Sequence, residues 1–225
     1  GPGSMLDNIQ EYLGVVKAKL TEFYEKVFQN FVKSLFGKPS SILFLGIDNA
    51  GKTTLVNKLK SDSTDVYMPT HHPSTSYIEI GNLKAQVIDL GGHTAARLAW
   101  RDYFYDCHGI VFIVDVHDVE RFQEVREAYE TVLSLEKRAP VVVLMNKIDL
   151  EGHTPETAEA DYQWKSWLSQ ETGIENQEDP ERGQVVKIFY VTITSGSANS
   201  ITGPLARAFK WLEAMITYNN KKESL

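Results

Sequence analysis

Six short apolar runs punctuate the chain, at 42–46, 77–80, 83–90, 109–116, 140–146 and 185–194. Most are nearly unbroken stretches of Val, Ile, Leu and Phe, the composition of strands covered on both faces of a sheet. Between them, helical spacing of apolar residues falls at about 51–60, 119–137, 156–170 and 204–218. Gly81-Asn82 separates two alternating runs and reads as a hairpin turn, which places one antiparallel strand in the sheet. This alternation predicts an α/β fold with a doubly wound, mostly parallel six-stranded sheet. Its ligand site then lies beyond the carboxyl ends of the strands. The turn-rich stretch 172–183 reads as a loop between the last two units.

A different pattern opens the chain. Apolar residues recur at Leu6, Ile9, Leu13, Val16, Leu20, Phe23, Val27, Phe31 and Leu35, in steps of three and four that draw one stripe along a helix. Lys17, Lys19, Lys26 and Lys33 are interspersed with Asp7, Glu11, Glu22 and Glu25. Such an amphipathic N-terminal helix either packs on the rest of the domain or on another chain, or lies in a membrane interface. Gly1 to Ser4 precede Met5 and read as a cloning scar, so the expected organisation is scar 1–4, helical extension 5–38, one domain over 39–219 and a tail 220–225. No stretch approaches the roughly 18 uncharged apolar residues of a spanning helix. Met5-Leu6 offers no glycine for myristoylation, and Lys222-Glu223-Ser224-Leu225 offers no cysteine for prenylation, so membrane contact would have to come from protein alone.

Composition narrows the classes. A hydrophobic share of 42% with 24% charged residues is that of a soluble globular domain. The net charge of −7 argues against nucleic acid as a partner. Residues 151–184 hold nine acids against Lys165 and Arg182, and this segment alone matches the charge of the whole chain. An acidic surface patch is the simplest account. The single cysteine, Cys107, excludes an internal disulfide and suits a reducing, cytoplasmic compartment.

The chemistry sits at the strand ends. Gly46-Ile47-Asp48-Asn49-Ala50-Gly51-Lys52-Thr53 fits G-x-x-x-x-G-K-[ST], directly after the run Ile42–Leu45 and directly before a helical pattern, the context of a P-loop. Glycines let backbone N–H groups converge on phosphate oxygens, and the new helix adds its positive end. Lys52 is placed to neutralise the β- and γ-phosphates, and Thr53 offers its hydroxyl to Mg²⁺. Asp89 closes its strand as a second candidate for the metal, with Gly91 completing D-x-x-G and offering its amide to a γ-phosphate. Asn146-Lys147-Ile148-Asp149 follows the run 140–145. A carboxylate at Asp149 accepts from both N1–H and the exocyclic amino group of guanine, whereas adenine presents the wrong donors. The nucleotide read from these motifs is GTP.

Residues 46–54, together with Pro69-Thr70-His71-His72-Pro73 and Asp89-Leu90-Gly91-Gly92-His93, resemble those of the Sar-type small GTPases, within the wider Arf/Sar group. The likeness extends through Ala96-Arg97, Trp100, Gly109–Asp115 and 146–149, and covers about 41–218. The resemblance implies a Ras-like P-loop G domain that hydrolyses GTP to GDP. It assigns nucleotide contacts to Asp48, Asn49, Ala50, Gly51, Lys52, Thr53, Thr54, Gly91, Asn146, Lys147 and Asp149. It also implies that Thr53, Thr70 and Asp89 hold Mg²⁺, that His93 orients the attacking water, and that Thr192-Ile193 contact guanine in place of the commoner Ser-Ala. Sar-type proteins start COPII coat assembly for transport from endoplasmic reticulum to Golgi. The resemblance therefore implies as partners the COPII inner coat subunits, among them the activating protein, and an exchange factor in the endoplasmic reticulum membrane. It further implies a helix released onto the cytosolic membrane surface when GTP binds. An Arf-like GTPase of another pathway, and a GTP-dependent binding subunit that does not hydrolyse, stay open as alternatives. Among the remaining histidines, at 71, 72, 108, 117 and 153, the sequence gives no metal cluster.

Overall fold

The structure is a computed structural model that describes residues 3–60, 66–68, 75–91 and 99–225. Thr70 and His93 lie outside the described residues.

Among the described residues, seven strands form one sheet in the order β2-β3-β4-β1-β5-β6-β7. They are β1 (Ser40–Gly46), β2 (Val66–Met68), β3 (Thr75–Ile80), β4 (Leu83–Asp89), β5 (Gly109–Asp115), β6 (Val141–Asn146) and β7 (Val186–Tyr190). Six coincide with the six apolar runs, and the three-residue β2 adds a seventh at the edge, too short to show a pattern in sequence. Among the described strands only β3 runs against the rest, pairing antiparallel with both β2 and β4. Its link to β4 is the two-residue turn Gly81-Asn82, with Gly81 at φ +60. Strand order reverses at β1, which pairs in parallel with β4 on one side and β5 on the other. A crevice therefore opens beyond the carboxyl end of β1, where the P-loop sequence begins.

The near-continuous apolar strands divide their side chains between two cores. Ile42 and Phe44 of β1 join one core with α1 (Met5–Leu35), α2 (Lys52–Leu59) and α6 (Pro204–Glu223). Leu43 and Leu45 join the other, beneath α3 (Phe122–Leu135), α4 (Pro155–Ala160) and α5 (Tyr162–Thr172). The single helix expected over 156–170 is thus two. Asp161 breaks it, with φ −89 and ψ 83, and its carboxylate accepts from the Trp164 amide as the N-cap of α5. The acidic segment is partly paired, through Glu159 with Lys165 at 3.4 Å and Glu178 with Lys187 at 3.0 Å.

Among the described residues, α1 docks only by its C-terminal third. Phe28, Gln29, Val32 and Phe36 are buried, and Gln29 Nε2 donates to the carbonyls of Lys58 (3.1 Å) and Lys60 (2.5 Å) at the end of α2. Asn82 Nδ2 donates to the Phe36 carbonyl at 2.9 Å, so the β3–β4 turn holds the exit of the helix. At its start Ser4 and Asp7 form a capping box, so the last residue of the expected scar takes part in the fold. Among the described residues, no helix is long and apolar enough to cross a membrane.

Candidate functional site

The P-loop leaves β1 at Gly46, which lies in register with Asp89 at the end of β4. A Cβ at Gly46 would come within 2.6 Å of the Ile113 carbonyl oxygen, and one at Gly51, where φ is +119, within 2.5 Å of Asn146 Nδ2. Both positions therefore demand glycine, for reasons of space as much as backbone. The loop encloses a cleft of about 540 Å³ lined by Asp48, Asn49, Gly51, Lys52, Thr53, Thr54, Asp89 and Lys147, with Thr75, Ser76 and Val87 closing one wall.

Lys52 is buried at the first turn of α2, and its ammonium donates to the carbonyls of Gly46 and Ile47, each at 2.7 Å. Burial pushes its pKa down to about 8, against the raising pull of Asp89 and Asp48. The cation is thus costly to keep in an empty cleft and ready to meet an anion. Asp48 sits on the opposite lip, where Arg121 donates to its carboxylate at 2.7 Å and to Glu124 at 2.9 Å. That guanidinium, by hydrogen bonding above all, holds the Asp48 carboxyl below its usual range. Asp89 Oδ1 accepts the Gly91 amide at 2.9 Å. The amide expected to meet a γ-phosphate is therefore engaged by its own turn, and contact with a phosphate requires that bond to open.

The N-K-x-D residues leave β6 at Asn146, in register with Asp115 of β5. Asn146 is buried and joins three segments: its Nδ2 donates to the Ala50 carbonyl at 2.9 Å, and its Oδ1 accepts the Ile193 amide at 3.0 Å. Lys147 lies in the left-handed region at φ 66, ψ 34, and its ammonium donates to Asn49 O (2.7 Å) and Asp115 Oδ2 (2.8 Å). Asn49 is itself at φ 65, so one hydrogen bond links the only two non-glycine residues with positive φ among those described. Backbone strain of this kind persists where the surroundings over-determine it, and it gathers at binding sites. Asp149 and Thr192 meet, Thr192 Oγ1 donating to Asp149 Oδ1 and accepting the Asp149 amide, both at 3.3 Å. Thus Asp48 to Thr54, Asp89, Gly91, Asn146, Lys147, Asp149, Thr192 and Ile193 converge at the carboxyl ends of β1, β4, β6 and β7. Thr70 and His93 fall outside the described residues.

Four contributors lie outside the sequence motifs. Asp115 anchors Lys147, Arg121 holds Asp48 and is itself held by Glu124, and Lys58 ties α2 to the turn after Ile193 through Asn199 Oδ1 (2.9 Å). For Asp115 a signal existed, since it ends β5 as Asn146 ends β6. The described histidines serve structure: His108 Nδ1 accepts the Ser41 amide at 2.8 Å, His117 meets Glu151 at 2.8 Å, and His153 lies 4.5 Å from the Trp164 ring. Among the described residues no cluster of His, Cys, Asp and Glu suits a metal. Thr53 and Asp89 do supply hard oxygen donors at one end of the cleft, the donor type that Mg²⁺ takes alongside phosphate.

A glycine-cradled lysine after the central strand of a doubly wound sheet, facing an N-K-x-D turn, defines a P-loop domain of the Ras-like G-domain type. Residues 26–215 match the sequence profile of the ADP-ribosylation factor (Arf) family, and the chain belongs to that family. It is similar to the small COPII coat GTPase SAR1 of Giardia intestinalis, 39% identical over 52% of this chain and 62% of that protein. It is also similar to SAR1 of Nicotiana tabacum, 43% identical over 44% of this chain and 50% of that protein. ADP-ribosylation factor 1 of Brassica rapa subsp. pekinensis is 36% identical over 59% of this chain and 74% of its own length. The chain thus spans half to about three-fifths of the length of these SAR1 relatives.

Proposed function

We propose that the chain is a guanine-nucleotide switch that binds GTP or GDP with Mg²⁺ and hydrolyses GTP. The observation that carries this is the Asn146 side chain, which bolts the Ala50 turn of the phosphate loop to Ile193 beside the Asp149–Thr192 pair. One polar residue thereby fixes the spacing between a triphosphate cradle and a purine-reading carboxylate. Lys52 carries the β- and γ-phosphates, backbone amides from Asp48 to Thr54 surround them, and Asp149 accepts from the guanine edge. Thr53 and Asp89, joined by Thr70 of switch I, hold the magnesium ion, which neutralises charge on the phosphates. His93 orients the attacking water. In single-turnover hydrolysis, His93→Gly is expected to slow the reaction severely while nucleotide binding persists; equal rates would remove His93 from the chemistry.

The pathway we propose is that of the SAR1 relatives: initiation of the COPII coat on the cytosolic face of the endoplasmic reticulum. The partners are then the inner coat subunits with their activating protein, a membrane-bound exchange factor, and the membrane surface, met through α1. Support comes from the D-L-G-G-H sequence at 89–93 and the identities of 39% and 43%. The greater coverage of the Arf relative favours one other reading, an Arf-like GTPase of another route. Liposome recruitment of COPII inner coat subunits by the GTP-loaded chain separates the two, because an Arf-like protein leaves them in solution.

A further inference from the structure

Nine of the large apolar side chains exposed on the described residues belong to α1, between Met5 and Tyr24. This part of the helix extends beyond the docked end for about 30 Å at 1.5 Å per residue. Its stripe has a specific period. From Leu6 to Val27 the steps alternate three and four without exception, a 3.5-residue repeat over three heptads, with Leu6, Leu13 and Leu20 at the a positions and Ile9, Val16 and Phe23 at d. Met5, Tyr12, Val15 and Tyr24 lie off these positions, but an interfacial helix needs only a broad apolar face, whereas an a/d repeat held over three heptads suits packing against other helices.

The flanks of the seam carry a second, independent pattern. Asp7, Glu11, Glu22 and Glu25 all fall at outer positions b, c or f, and none at e or g. In a parallel pair each g residue faces the e residue of the next heptad on the neighbouring copy. That register sets Tyr12 against Lys17 and Lys19 against Tyr24, a lysine over an aromatic ring both times, while Phe31, the position opposite Lys26, packs on the core of its own domain. An antiparallel pair keeping every layer from Ile9 to Val27 would instead set Lys17 against its own copy and Lys19 against its own copy. Among the described residues, the seam also turns away from the docked face of α1. At 100° per residue its centre lies roughly a third of a turn around α1 from the buried Phe28, Gln29 and Val32, so the seam and the docked face are different faces of the helix.

We propose that α1 is a self-association element: copies of this chain assemble through the seam from Leu6 to Val27 as a parallel helical bundle. Leucine at a with β-branched Ile9 and Val16 at two of the three d positions favours more than two strands. Three heptads are near the lower limit for such an assembly, so association is weak and concentration-dependent. A bilayer competes for the same stripe, and the bundle is the state of the chain away from lipid. The proposal does not depend on nucleotide chemistry.

Sedimentation velocity on the full GDP-loaded chain, without lipid or detergent, is expected to give the mass of two or more copies at tens of micromolar. Leu13→Glu with Leu20→Glu, both at exposed positions, is expected to weaken association by about tenfold or more while GTP binding is unchanged. In a Cys107→Ser background, Leu13→Cys at the seam is expected to cross-link two copies under mild oxidation, and Glu11→Cys on the outer face is not. A chain monomeric at every concentration overturns the proposal, including one that floats with phosphatidylserine-containing vesicles and so gives the stripe to lipid. An assembly untouched by the double variant overturns it as well, and assembly without cross-linking at position 13 overturns the parallel register.

Discussion

Replacing Asn146 with alanine removes two buried hydrogen bonds at once. The Ala50 carbonyl loses its donor at 2.9 Å and the Ile193 amide loses its acceptor at 3.0 Å. Both residues are essentially inaccessible, with Ala50 at 0% and Ile193 at 1% exposure, so water cannot readily take over. An unsatisfied buried backbone group costs about 1–3 kcal/mol, and two of them predict a loss of roughly 2–5 kcal/mol even before nucleotide is added. For a domain of this size that is a fall in Tm of about 5–15 °C. Asn146→Asp keeps an acceptor for the Ile193 amide but faces the Ala50 carbonyl with a second oxygen, so it is expected to be no better than alanine. The assay is urea unfolding of both variants, with chelator and separately with saturating GDP. A loss below about 0.5 kcal/mol without nucleotide would mean that the bridge contributes nothing to the empty fold. A deficit seen only with GDP would transfer the role of Asn146 to ligand contact.

The lowered pKa of Lys52 makes phosphate binding pH-dependent. Near pH 8 half of the empty sites lose the ammonium, and binding a triphosphate must restore it, so affinity is expected to fall above pH 8 toward about tenfold per pH unit. Lys52→Arg, measured by calorimetry from neutral pH upward, is expected to abolish that inflection. The same shift acts on folding: between about 8 and the unfolded value of 10.5 the unfolded chain binds more protons, so Lys52's contribution to the empty protein's stability rises with pH through that window. Arg121→Ala leaves the Asp48 carboxylate without its cation on the lip of the phosphate cleft, and is expected to weaken GTP binding several-fold, with Asp48→Asn restoring part of it. Gln29→Ala removes the bonds from α1 to the end of α2, each worth about 1 kcal/mol, and is expected to speed proteolytic removal of α1. Unchanged cleavage would show that apolar packing alone holds the helix.

What could be read from the sequence was local. Strands β1, β5 and β6 announced themselves as apolar runs because both their faces are covered, and Lys52 and Asp149 followed from turn chemistry at the ends of such runs. The stripe of α1 was equally plain, because its period does not depend on what it touches. The break at Asp161 was hidden, since an aspartate reads as a mid-helix surface residue until its carboxylate is seen on the Trp164 amide. The contacts that tie the site together were beyond sequence alone. Arg121 reaches Asp48 across 73 positions and Asn146 reaches Ala50 across 96, and such pairings are settled by the crossing of strands at β1.

Isothermal calorimetry with GDP, GTP and ATP, on the wild type and on Asp149→Asn, tests the central claim most directly. The account predicts tight binding of both guanine nucleotides, none of ATP, and a large loss of guanine affinity in the variant. Equal affinity for ATP and GTP, or guanine binding that Asp149→Asn leaves intact, would contradict it.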